Sequence, residues 1–525
     1  MNQRPKKFNL SFNSCFNHLK KFNLLESDTY QLHTKGEKEE FSSITTDSRK
    51  ISENSIFIAY KGLTTDGHDY LAEAAKKKVK LIILEDESRL PSIENPDLFS
   101  NINWIKVKDG RGAWSVLSSL QFGSPEKSLN IFGVTGTNGK TTVTWMFKEL
   151  MRINNITCLS IGTVGIYFGD DFTESNHTTP DPDILYELLA LARDKNISTV
   201  IMEVSSHAIA QSKLLPIRFN GGVFTSFSRD HLDYHKTMEE YFQTKASFFT
   251  NYLNENSVSI IHKDLFSQFN IKTSSKYFYS YGITENTEDK SLSENNITEP
   301  INVDIIKHFS THTQIKIHIV NQEIQGSIPY LARHNVENFT AAFLLAYSYF
   351  NYNLSAIKIE DWLDLKQVPG RMNILKAPTE NSNKPAVIVD YAHTPNALQK
   401  LLETVKEAST GTIWVVFGCG GDRDKGKRPI MAEIAEGFAD HVIITNDNPR
   451  NESPQEIIEQ IMRGFKNPEK ILVEPDREKA ISYAILHAKV GDTVVLAGKG
   501  HESYQIIGNT TYNFDDHAIA MKYLQ

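Results

Sequence analysis

The chain contains little cysteine, with three residues among 525. Cys15, Cys158 and Cys419 are far apart, odd in number and without the spacing of a metal site. These features exclude a disulfide framework, so we expect three reduced, structural thiols.

Long apolar runs and an excess of positive charge are also missing. No stretch is long and apolar enough to span a bilayer, and the basic N-terminal stretch lacks the continuous hydrophobic core of a signal peptide. The 56 Lys and Arg residues face 64 Asp and Glu residues, which gives a formal net charge of -8. We therefore expect a cytoplasmic, monomeric protein with neither nucleic acid nor a membrane as partner.

The length and the order of elements indicate several α/β domains. A chain of 525 residues corresponds to roughly three or four domains. Strand-like runs alternate with helical segments, with a break at GSPEK (123–127) and a restart after Trp362. We predict an α/β fold with three domains: 1–125, a central phosphate-loop domain with a doubly wound sheet at 126–363, and a Rossmann-like domain at 364–525.

The stretch LNIFGVTGTNGKTTVT (129–144) predicts a strand, a glycine-rich loop and a helix. This is the context of a phosphate-binding loop: glycines let backbone N–H groups approach a polyphosphate, Lys140 supplies a cation, and the Thr141 hydroxyl can ligate Mg²⁺. The usual first glycine is Val134 here. The alternative is a turn that binds nothing, which the Gly-Lys-Thr ending after a strand disfavours.

Polar residues follow other predicted strands of the central segment. Glu203 ends the run TVIMEV, where its carboxylate could face Mg²⁺, and the segment SRDHLDYH (228–235) is dense in possible ligands. Taken singly, such residues are more often surface or capping residues. For Lys245, in the aromatic-rich stretch YFQTKASFF, composition favours a side chain that reaches from a core-facing helix to solvent.

The last third of the chain collects charged residues after its strands, at the edge where open α/β sheets bind ligands. These residues include Asp390, His393, Arg423, Asp447, Asn448, Arg450 and Glu502. The turn GCGG (418–421) lacks the full dinucleotide fingerprint, and DNPR (447–450) by itself indicates an Asx-Pro turn.

Three further polar stretches have simpler explanations. The segments TDSR (46–49) and GLTTDGH (62–68) are typical of turns. Residues 285–299 are polar, charged and poor in aliphatic side chains, which predicts a surface insertion or mobile loop.

Eleven segments, in order along most of the chain, resemble the Mur ligase family of peptidoglycan precursor enzymes. They are TGTNGKTT (135–142), HTTPD (177–181), MEVSSH (202–207), FSRDHLDYH (227–235), YFQTK (241–245), HNVENFTAA (334–342), PGRM (369–372), DYAHTP (390–395), GCGGDRDKGKRP (418–429), DNPR (447–450) and GKGHE (498–502). The resemblance implies three domains, which bind the UDP substrate, ATP and the incoming amino acid.

The resemblance also implies an amide ligation that uses ATP and Mg²⁺. The D-glutamyl γ-carboxylate of UDP-N-acetylmuramoyl-L-Ala-D-Glu takes the γ-phosphoryl group of ATP, and the amine of meso-2,6-diaminopimelate then displaces phosphate from the acyl phosphate. Several anions meet in the first step, so catalysis should consist of positioning and charge neutralisation.

Roles are implied residue by residue. The catalytic residues are Lys140, Glu203, His231 and Lys245, and the metal ligands are Thr141, Glu203, His231 and Lys245, with Lys245 carbamylated by CO₂ rather than exposed to solvent. The nucleotide contacts are Gly136, Thr137, Asn138, Gly139, Lys140, Thr141, Thr142, Asn335, Arg371 and Asp390. The substrate contacts are Thr46, Ser48, Leu63, Thr64, Thr65, His177, Thr178, Thr179, Ser205, Gln211, Lys213, Arg423, Asp447, Asn448, Pro449, Arg450, Gly498 and Glu502.

Two positions depart from the family pattern, and one residue selects the amino acid. His177 stands where relatives often have Asn, and Lys213 where they often have Arg, which loses bidentate geometry. Arg450 can pair bidentately with the distal carboxylate of diaminopimelate, whereas lysine would leave its guanidinium unpaired. Lysine-adding members generally lack this arginine.

Three alternatives remain open from the sequence. The first is the same reaction with L-lysine. The second is folylpolyglutamate synthase, which the uridine-site segment and DNPR disfavour. The third is a nucleotide-dependent binding or switch protein without turnover, against which the presence of Lys140, Glu203, His231 and Lys245 argues.

Overall fold

The computed structural model describes residues 5–31, 40–62, 64–90, 102–175, 177–232, 234–269, 271–283, 300–309, 312–319, 322–375 and 384–525. Leu63 and residues 285–299, singled out above, lie outside this part of the chain. The chain divides into two compact units. The first runs to Tyr281 and includes Ala341–Ala356; the second contains Ile301–Thr340 and Ile357–Gln525.

The first unit begins with a small α/β layer. Five strands pair in the order β2-β7-β6-β5-β4, parallel except for β2 at the edge, and β1 pairs with β3. The runs predicted as strands are β5, β6 and β7, and their apolar side chains form the core. The elements are β1 (Leu10–Ser11), α1 (Phe12–Lys21), β2 (Leu25–Gln31), β3 (Glu40–Phe41), β4 (Ser43–Thr45), β5 (Ser55–Ala59), α2 (Leu71–Lys76), β6 (Leu81–Leu84), β7 (Asn103–Val107) and α3 (Gly110–Gln121).

A second sheet follows in the first unit, in the order β11-β10-β9-β12-β8-β13-β14-β15. Its strands from β9 to β15 in that order run parallel, and the antiparallel β10 and β11 close one edge. The elements are β8 (Asn130–Thr135), α4 (Lys140–Ile153), β9 (Cys158–Gly162), β10 (Gly165–Phe168), β11 (Asp171–Thr173), α5 (Pro182–Asp194), β12 (Thr199–Glu203), α6 (Ser206–Ala210), β13 (Phe219–Phe224), α7 (Met238–Asn251), β14 (Leu253–His262), α8 (Lys263–Gln268) and β15 (Tyr277–Ile283).

The strand order brings the predicted functional segments together. The first strand of this sheet, β8, lies between β12 and β13, so the chain reverses its direction of strand addition beside it. Glu203 at the end of β12 is in register with Val134 of β8. Because β8 and β12 are parallel neighbours, the loop after β8 and the end of β12 lie at the same edge of the sheet. Ligands of open α/β sheets bind at such a switch point, outside the carboxyl ends of the strands.

The second unit contains three neighbouring antiparallel strands, β16-β17-β18, and a six-stranded sheet in the order β19-β20-β24-β21-β22-β23. In the larger sheet only the edge strand β19 is antiparallel. The elements are β16 (Ile301–His308), β17 (Thr313–Ile319), β18 (Gln322–Ile328), β19 (Asn373–Leu375), β20 (Ala386–Asp390), α10 (Pro395–Ala408), β21 (Ile413–Phe417), α11 (Lys427–Phe438), β22 (His441–Ile444), α12 (Pro454–Met462), β23 (Leu472–Val473), α13 (Arg477–His487), β24 (Thr493–Ala497), β25 (Tyr504–Ile507), β26 (Thr510–Asn513) and α14 (Asp516–Leu524), and the helix α9 (Arg333–Tyr349) has residues in both units.

These elements confirm the predicted fold class. Strand and helix alternate from β20 to β24 as in a Rossmann-like domain, and the central sheet is doubly wound. The three cysteines are buried, free thiols, as expected. Among the described residues, no helix has both the length and the apolar composition needed to cross a membrane. The domain boundaries at 125/126 and 363/364 stay predictions.

Candidate functional site

Two glycines with positive φ angles allow the backbone conformation of the loop between β8 and α4. Gly136 and Gly139 have φ values of 143° and 87°, and a Cβ on Gly136 would lie 2.0 Å from the Thr225 hydroxyl. The Lys140 ammonium donates to the carbonyls of Gly136 and Thr137, both at 2.9 Å. The N–H groups of the first turn of α4 have no partner within the helix, so this end of α4 is suited to an anion.

The side chains after β13 fix the rest of the loop. The Thr137 and Asn138 N–H groups donate to the carbonyl and hydroxyl of Ser226 at 2.8 and 3.0 Å. The Thr225 hydroxyl donates to the Asn138 carbonyl at 2.5 Å. Thr225 and Ser226 were not predicted as site residues, because their role depends on β13 lying next to β8.

Glu203 is buried at the end of β12 and joins two residues of the predicted site. The Thr141 hydroxyl donates to its Oε1 at 2.9 Å, and the Thr163 N–H donates to the same oxygen at 2.8 Å. A Cβ on Gly162 would lie 2.3 Å from Oε1, so only glycine leaves room for the carboxylate here. Thr163, too, was missed from the sequence, since nothing in its segment marks it.

Lys245 does not reach solvent, so the interpretation of its side chain as one that extends from a core-facing helix to solvent is wrong. Its side chain is 1% exposed, and its amine donates to the Gly136 carbonyl at 2.8 Å and lies 4.8 Å from the centre of the Tyr241 ring. Burial lowers the pKa of this amine well below its usual value; the nearby Lys140 ammonium acts in the same direction and Asp230 in the opposite one. A lowered pKa favours the neutral form of an amine, which is its nucleophilic form.

His231 belongs to a group of rings beside the loop. It has a φ of 51°, and its ring centre lies 4.9 Å from that of His207 and 5.9 Å from that of Tyr241. Its Nε2 lies 3.5 Å from Asp230 Oδ2. The predicted ligands His231 and Lys245 therefore both lie beside the Tyr241 ring.

The donor set fits Mg²⁺ more closely than a metal held by protein alone. Mg²⁺ binds through one or two carboxylates together with substrate phosphates and water. Thr141 and Glu203 provide a hydroxyl and a carboxylate 2.9 Å apart beside the phosphate loop. Within the described part of the chain, no group of three or more His, Cys, Asp or Glu side chains is placed to hold a metal ion.

Several residues that the sequence analysis predicts as substrate contacts lie around Glu203. The Thr179 hydroxyl donates to the Glu203 carbonyl at 2.8 Å and to Ser205 Oγ at 3.2 Å. The hydroxyls of Thr178 and Thr163 lie 3.1 Å apart. Three of the predicted substrate residues, Thr178, Thr179 and Ser205, therefore lie around Glu203.

The remaining residues of this predicted group contact other parts of the unit. Gln211 donates to the Tyr234 hydroxyl at 3.4 Å, and Lys213 forms an ion pair of 2.6 Å with Asp181. His177 is exposed. The two positions that depart from the family pattern thus have different surroundings, one paired and one in solvent.

The predicted uridine residues lie in the segments that follow β4 and β5 of the same unit. The buried Ser48 hydroxyl donates to Glu73 Oε2 at 2.7 Å, and the Thr65 carbonyl accepts from the Gly62 N–H at 2.9 Å. Thr46 directly follows β4, and the Tyr60 ring lies 5.3 Å from the Arg111 guanidinium. Thr64 lies on the exposed turn. Tyr60 and Arg111 were missed because neither lies in a recognised segment.

In the second unit, three predicted nucleotide residues lie near Met372 and the end of β20. Asn335 is buried and donates to the Leu331 carbonyl at 2.9 Å. Asp390 accepts the Met372 and Ala392 N–H groups at 2.6 and 2.7 Å. Burial raises the pKa of Asp390, while Arg371 and the backbone donors act in the opposite direction. The Arg371 guanidinium lies 5.1 Å from the Tyr391 ring.

The ends of β22 and β24 bring four residues into one network. Asn448 is 3% exposed; its Nδ2 donates to Glu502 Oε2 at 2.8 Å, and its Oδ1 accepts from the Ile506 N–H at 2.9 Å. The Lys499 ammonium lies 3.2 Å from Asn448 Oδ1 and 3.4 Å from Glu502 Oε2. These long-range contacts show that DNPR is not simply a local Asx turn. Lys499 was missed, although it lies inside the GKGHE segment.

Arg450 lies across the glycine turn that follows β21. Its Nη1 donates to the Gly421 carbonyl at 2.9 Å, and a Cβ on Gly420 would lie 2.9 Å from the same nitrogen. A Cβ on Gly421 would lie 1.9 Å from the Pro449 carbonyl oxygen. The glycines of this turn therefore make room for the DNPR backbone and for Arg450.

The other predicted residues at this edge are Arg423, Asp447 and Gly498. Arg423 is exposed on the loop after β21. Gly498 has a φ of 116°, and a Cβ there would lie 2.6 Å from Asp447 Oδ2. The loops after β21, β22 and β24 thus meet at one edge of the sheet.

Comparisons with known proteins agree with this geometry. The chain matches models described as Mur ligase family, catalytic domain (40–120), Mur ligase middle domain (134–346) and Mur ligase, glutamate ligase domain (370–500). It is 37% identical, over 93% of its length and 95% of the relative, to a Clostridium acetobutylicum protein named UDP-N-acetylmuramoyl-L-alanyl-D-glutamate--2,6-diaminopimelate ligase 1. It is 36% identical to a Buchnera aphidicola protein named as such a ligase, over 93% of this chain and 96% of that one.

A solved structure is also similar over nearly the whole chain. That structure, of a UDP-N-acetylmuramoyl-L-alanyl-D-glutamate--2,6-diaminopimelate ligase, is 29% identical with a TM-score of 0.69, and the match covers 98% of this chain and 99% of that one. The family models and the relatives together show that the chain belongs to the Mur ligase family.

Proposed function

We propose that the chain is an ATP-dependent ligase that joins meso-2,6-diaminopimelate to the D-glutamyl γ-carboxylate of UDP-N-acetylmuramoyl-L-Ala-D-Glu. The observation that carries the proposal is the meeting of the phosphate loop, the Thr141–Glu203 pair and the buried Lys245 at one sheet edge. The names of the relatives, which match over more than nine-tenths of both chains, support the choice of substrates.

The first step is phosphoryl transfer to a carboxylate. The loop N–H groups and Lys140 would bind the phosphates of ATP, and Thr141 with Glu203 would hold Mg²⁺, which neutralises the charge that develops on the transferred group. The substrate γ-carboxylate oxygen attacks the γ-phosphorus, and ADP leaves. The acyl phosphate then has phosphate as its leaving group, which a free carboxylate lacks.

Lys245 would act as a carbamate. Its neutral amine can attack the carbon of CO₂, forming an N–C bond and releasing one proton, and the product is an anionic oxygen ligand. The lowered pKa of this buried amine supports the reaction, because only the neutral form is a nucleophile. With His231, the carbamate would hold a second metal near the γ-phosphate.

Diaminopimelate is proposed as the amino acid because of the residues around Arg450. Its distal end carries an ammonium and a carboxylate, for which Glu502 and Arg450 offer the opposite charges. One Arg450 nitrogen already donates to Gly421, which fixes the plane of the guanidinium and leaves further donors for a carboxylate. The amine at the other end then attacks the acyl phosphate.

The proposal is tested by phosphate release from ATP, Mg²⁺ and the UDP-dipeptide with either meso-diaminopimelate or L-lysine. We expect turnover with diaminopimelate and little with lysine. Arg450→Met should lower kcat/KM for diaminopimelate about 30-fold or more, since truncating one member of a buried charge pair costs about 2 kcal/mol or more, and should change lysine use little.

The matched control is Arg463→Met, which removes an exposed arginine at the end of α12. It should leave both rates unchanged. A preference of the wild type for lysine would contradict the choice of amino acid, and phosphate release independent of the amino acid would contradict the ligase.

A further inference from the structure

Lys499 is a fully buried cation at the edge of the C-terminal sheet where the amino acid is proposed to bind. Its side chain is 0% exposed, whereas that of Glu502, which it faces, is 13% exposed. The lysine therefore lies behind the carboxylate, on the protein side, and the carboxylate faces the site.

The contacts of Lys499 define which way the Asn448 amide points. Asn448 Oδ1 accepts from Lys499 at 3.2 Å and from the Ile506 N–H at 2.9 Å, so two donors bind the oxygen. The amide nitrogen must then face Glu502, to which it donates at 2.8 Å. Without the ammonium, one backbone donor alone would orient the amide.

The same ammonium selects the oxygen of Glu502 that is offered to a ligand. Asn448 Nδ2 and Lys499 Nζ both reach Oε2, at 2.8 and 3.4 Å. Within the described residues these are the hydrogen-bond donors of the carboxylate, and Oε1 is the oxygen left to an incoming ammonium. Burial lowers the pKa of Lys499, while the Asp447 and Glu502 carboxylates favour its charged form.

The network also reaches Arg450. The Arg450 N–H donates to the Ile506 carbonyl at 3.1 Å, and the Ile506 N–H donates to Asn448. Residues 448–450 are thereby tied to β25, and Lys499 fixes the point where this segment meets the loop after β24. Arg450, proposed to bind the carboxylate, and Glu502, proposed to bind the ammonium, are therefore linked through the contacts of the buried Lys499.

We propose that Lys499 is the positioning residue of the amino-acid site: through Asn448 and Glu502 it sets the geometry that binds the distal ammonium, without contacting the substrate. This inference rests on the proposed function and deepens it. It predicts that loss of Lys499 weakens the binding of the amino acid and not that of ATP or the UDP-dipeptide, because the contacts of Lys499 named above all lie at this sheet edge.

The test is steady-state kinetics of Lys499→Met in the full-length protein, with each of the three substrates varied in turn. We expect KM for meso-diaminopimelate to rise about tenfold or more, as for loss of a buried hydrogen-bond partner, with KM for ATP and for the UDP-dipeptide unchanged. Lys499→Arg, which keeps the charge, should recover part of the loss. Lys489→Met, an exposed lysine before the other end of β24, is the matched control and should match the wild type.

The outcomes separate the two proposals. Absence of diaminopimelate turnover in the wild type overturns the proposed function and this inference with it. An active wild type with an unchanged KM in Lys499→Met, or an equal loss in all three KM values, overturns this inference alone. If Lys499→Met does not fold, Lys499→Gln replaces it, and failure of both to fold would make Lys499 a stability residue and contradict the inference.

Discussion

Lys245 and Arg477 are both buried cationic side chains next to predicted binding residues, yet their surroundings are opposite. Arg477 is 1% exposed and bonds both oxygens of Asp516 at 2.8 and 2.7 Å. Lys245 is equally buried, but its amine meets a backbone carbonyl and the neighbouring Lys140.

The difference separates a structural cation from a reactive one. Arg477 also donates to the Ala497 and Asn446 carbonyls at 3.0 and 3.4 Å, so its charge is balanced and it fixes the ends of β24 and β22. No carboxylate among the described residues forms an ion pair with Lys245. A buried cation without a counter-ion shifts towards its neutral form, and a neutral amine can be modified.

The largest effect should come from removing the balanced cation. Arg477→Met leaves Asp516 buried without its partner, and we expect the free energy of unfolding to fall by about 3–5 kcal/mol. Urea unfolding measures it. Lys522→Met is the control on the same pair of helices: Lys522 and Glu478 are 64% and 42% exposed, so the loss should be at most about 1 kcal/mol. Equal losses in both variants would contradict the assignment of Arg477 as a structural cation.

Removing the unbalanced cation should instead affect activity. Lys245→Ala should lower kcat about a hundredfold or more, because even an outer-shell partner of a metal is worth 10–100-fold, while stability changes much less than in Arg477→Met. With ¹³C-bicarbonate, the wild type should show a carbamate carbon signal that the variant lacks.

Lys236→Ala, an exposed lysine just before α7, is the control for that experiment. It should keep both the activity and the carbamate signal. Short-chain carboxylic acids should restore part of the activity of Lys245→Ala by replacing the lost oxygen ligand. Full activity in the unsupplemented variant would contradict the metal-ligand role.

The smallest effect concerns another balanced cation, Arg428, which bonds both oxygens of Glu452 at 3.0 Å. The Arg428 guanidinium lowers the pKa of Glu452 from its usual 4.5 to about 2. A carboxylate with a lowered pKa in the folded state contributes stability above its ordinary pKa and loses it as the pH falls. The stability difference between wild type and Glu452→Gln should therefore be constant near neutral pH and shrink between about pH 4.5 and pH 2.

Urea unfolding at a series of pH values measures this difference. Glu456→Gln, at an exposed position of α12, is the control and should stay close to the wild type throughout. A difference for Glu452→Gln that grows on acidification would contradict the sign of the shift.

For Lys245, the sequence without the family resemblance contained a signal for burial but none for the residue that the amine contacts. Composition favoured an exposed amine, but Lys245 lies four residues after Tyr241 and three before Phe248, on the buried face of α7. That spacing was a usable signal. The partner was not predictable, because Gly136 lies 109 residues away and meets Lys245 only through the packing of α7 beside β8.

For the residues around Arg450, the sequence predicted the position in the fold but not all of the contacts. The sequence placed Asp447, Asn448 and Arg450 after a strand, at the correct edge of the sheet. It did not indicate Lys499, because the Lys499–Asn448 contact spans 51 residues and depends on the position of β24 in the sheet.

The sequence by itself determined the α/β class, the strand-loop-helix of the phosphate loop, and the order of strands and helices in the last third. These follow from local periodicity and from glycine positions, which depend on neighbouring residues only. The tertiary structure alone decided which carboxylate meets which hydroxyl or cation: Glu203 with Thr141, Asp516 with Arg477, Glu502 with Asn448 and Lys499. Such pairs are set by how the strands and helices pack, and elements far apart in sequence become neighbours only when the sheets and the helices on them assemble.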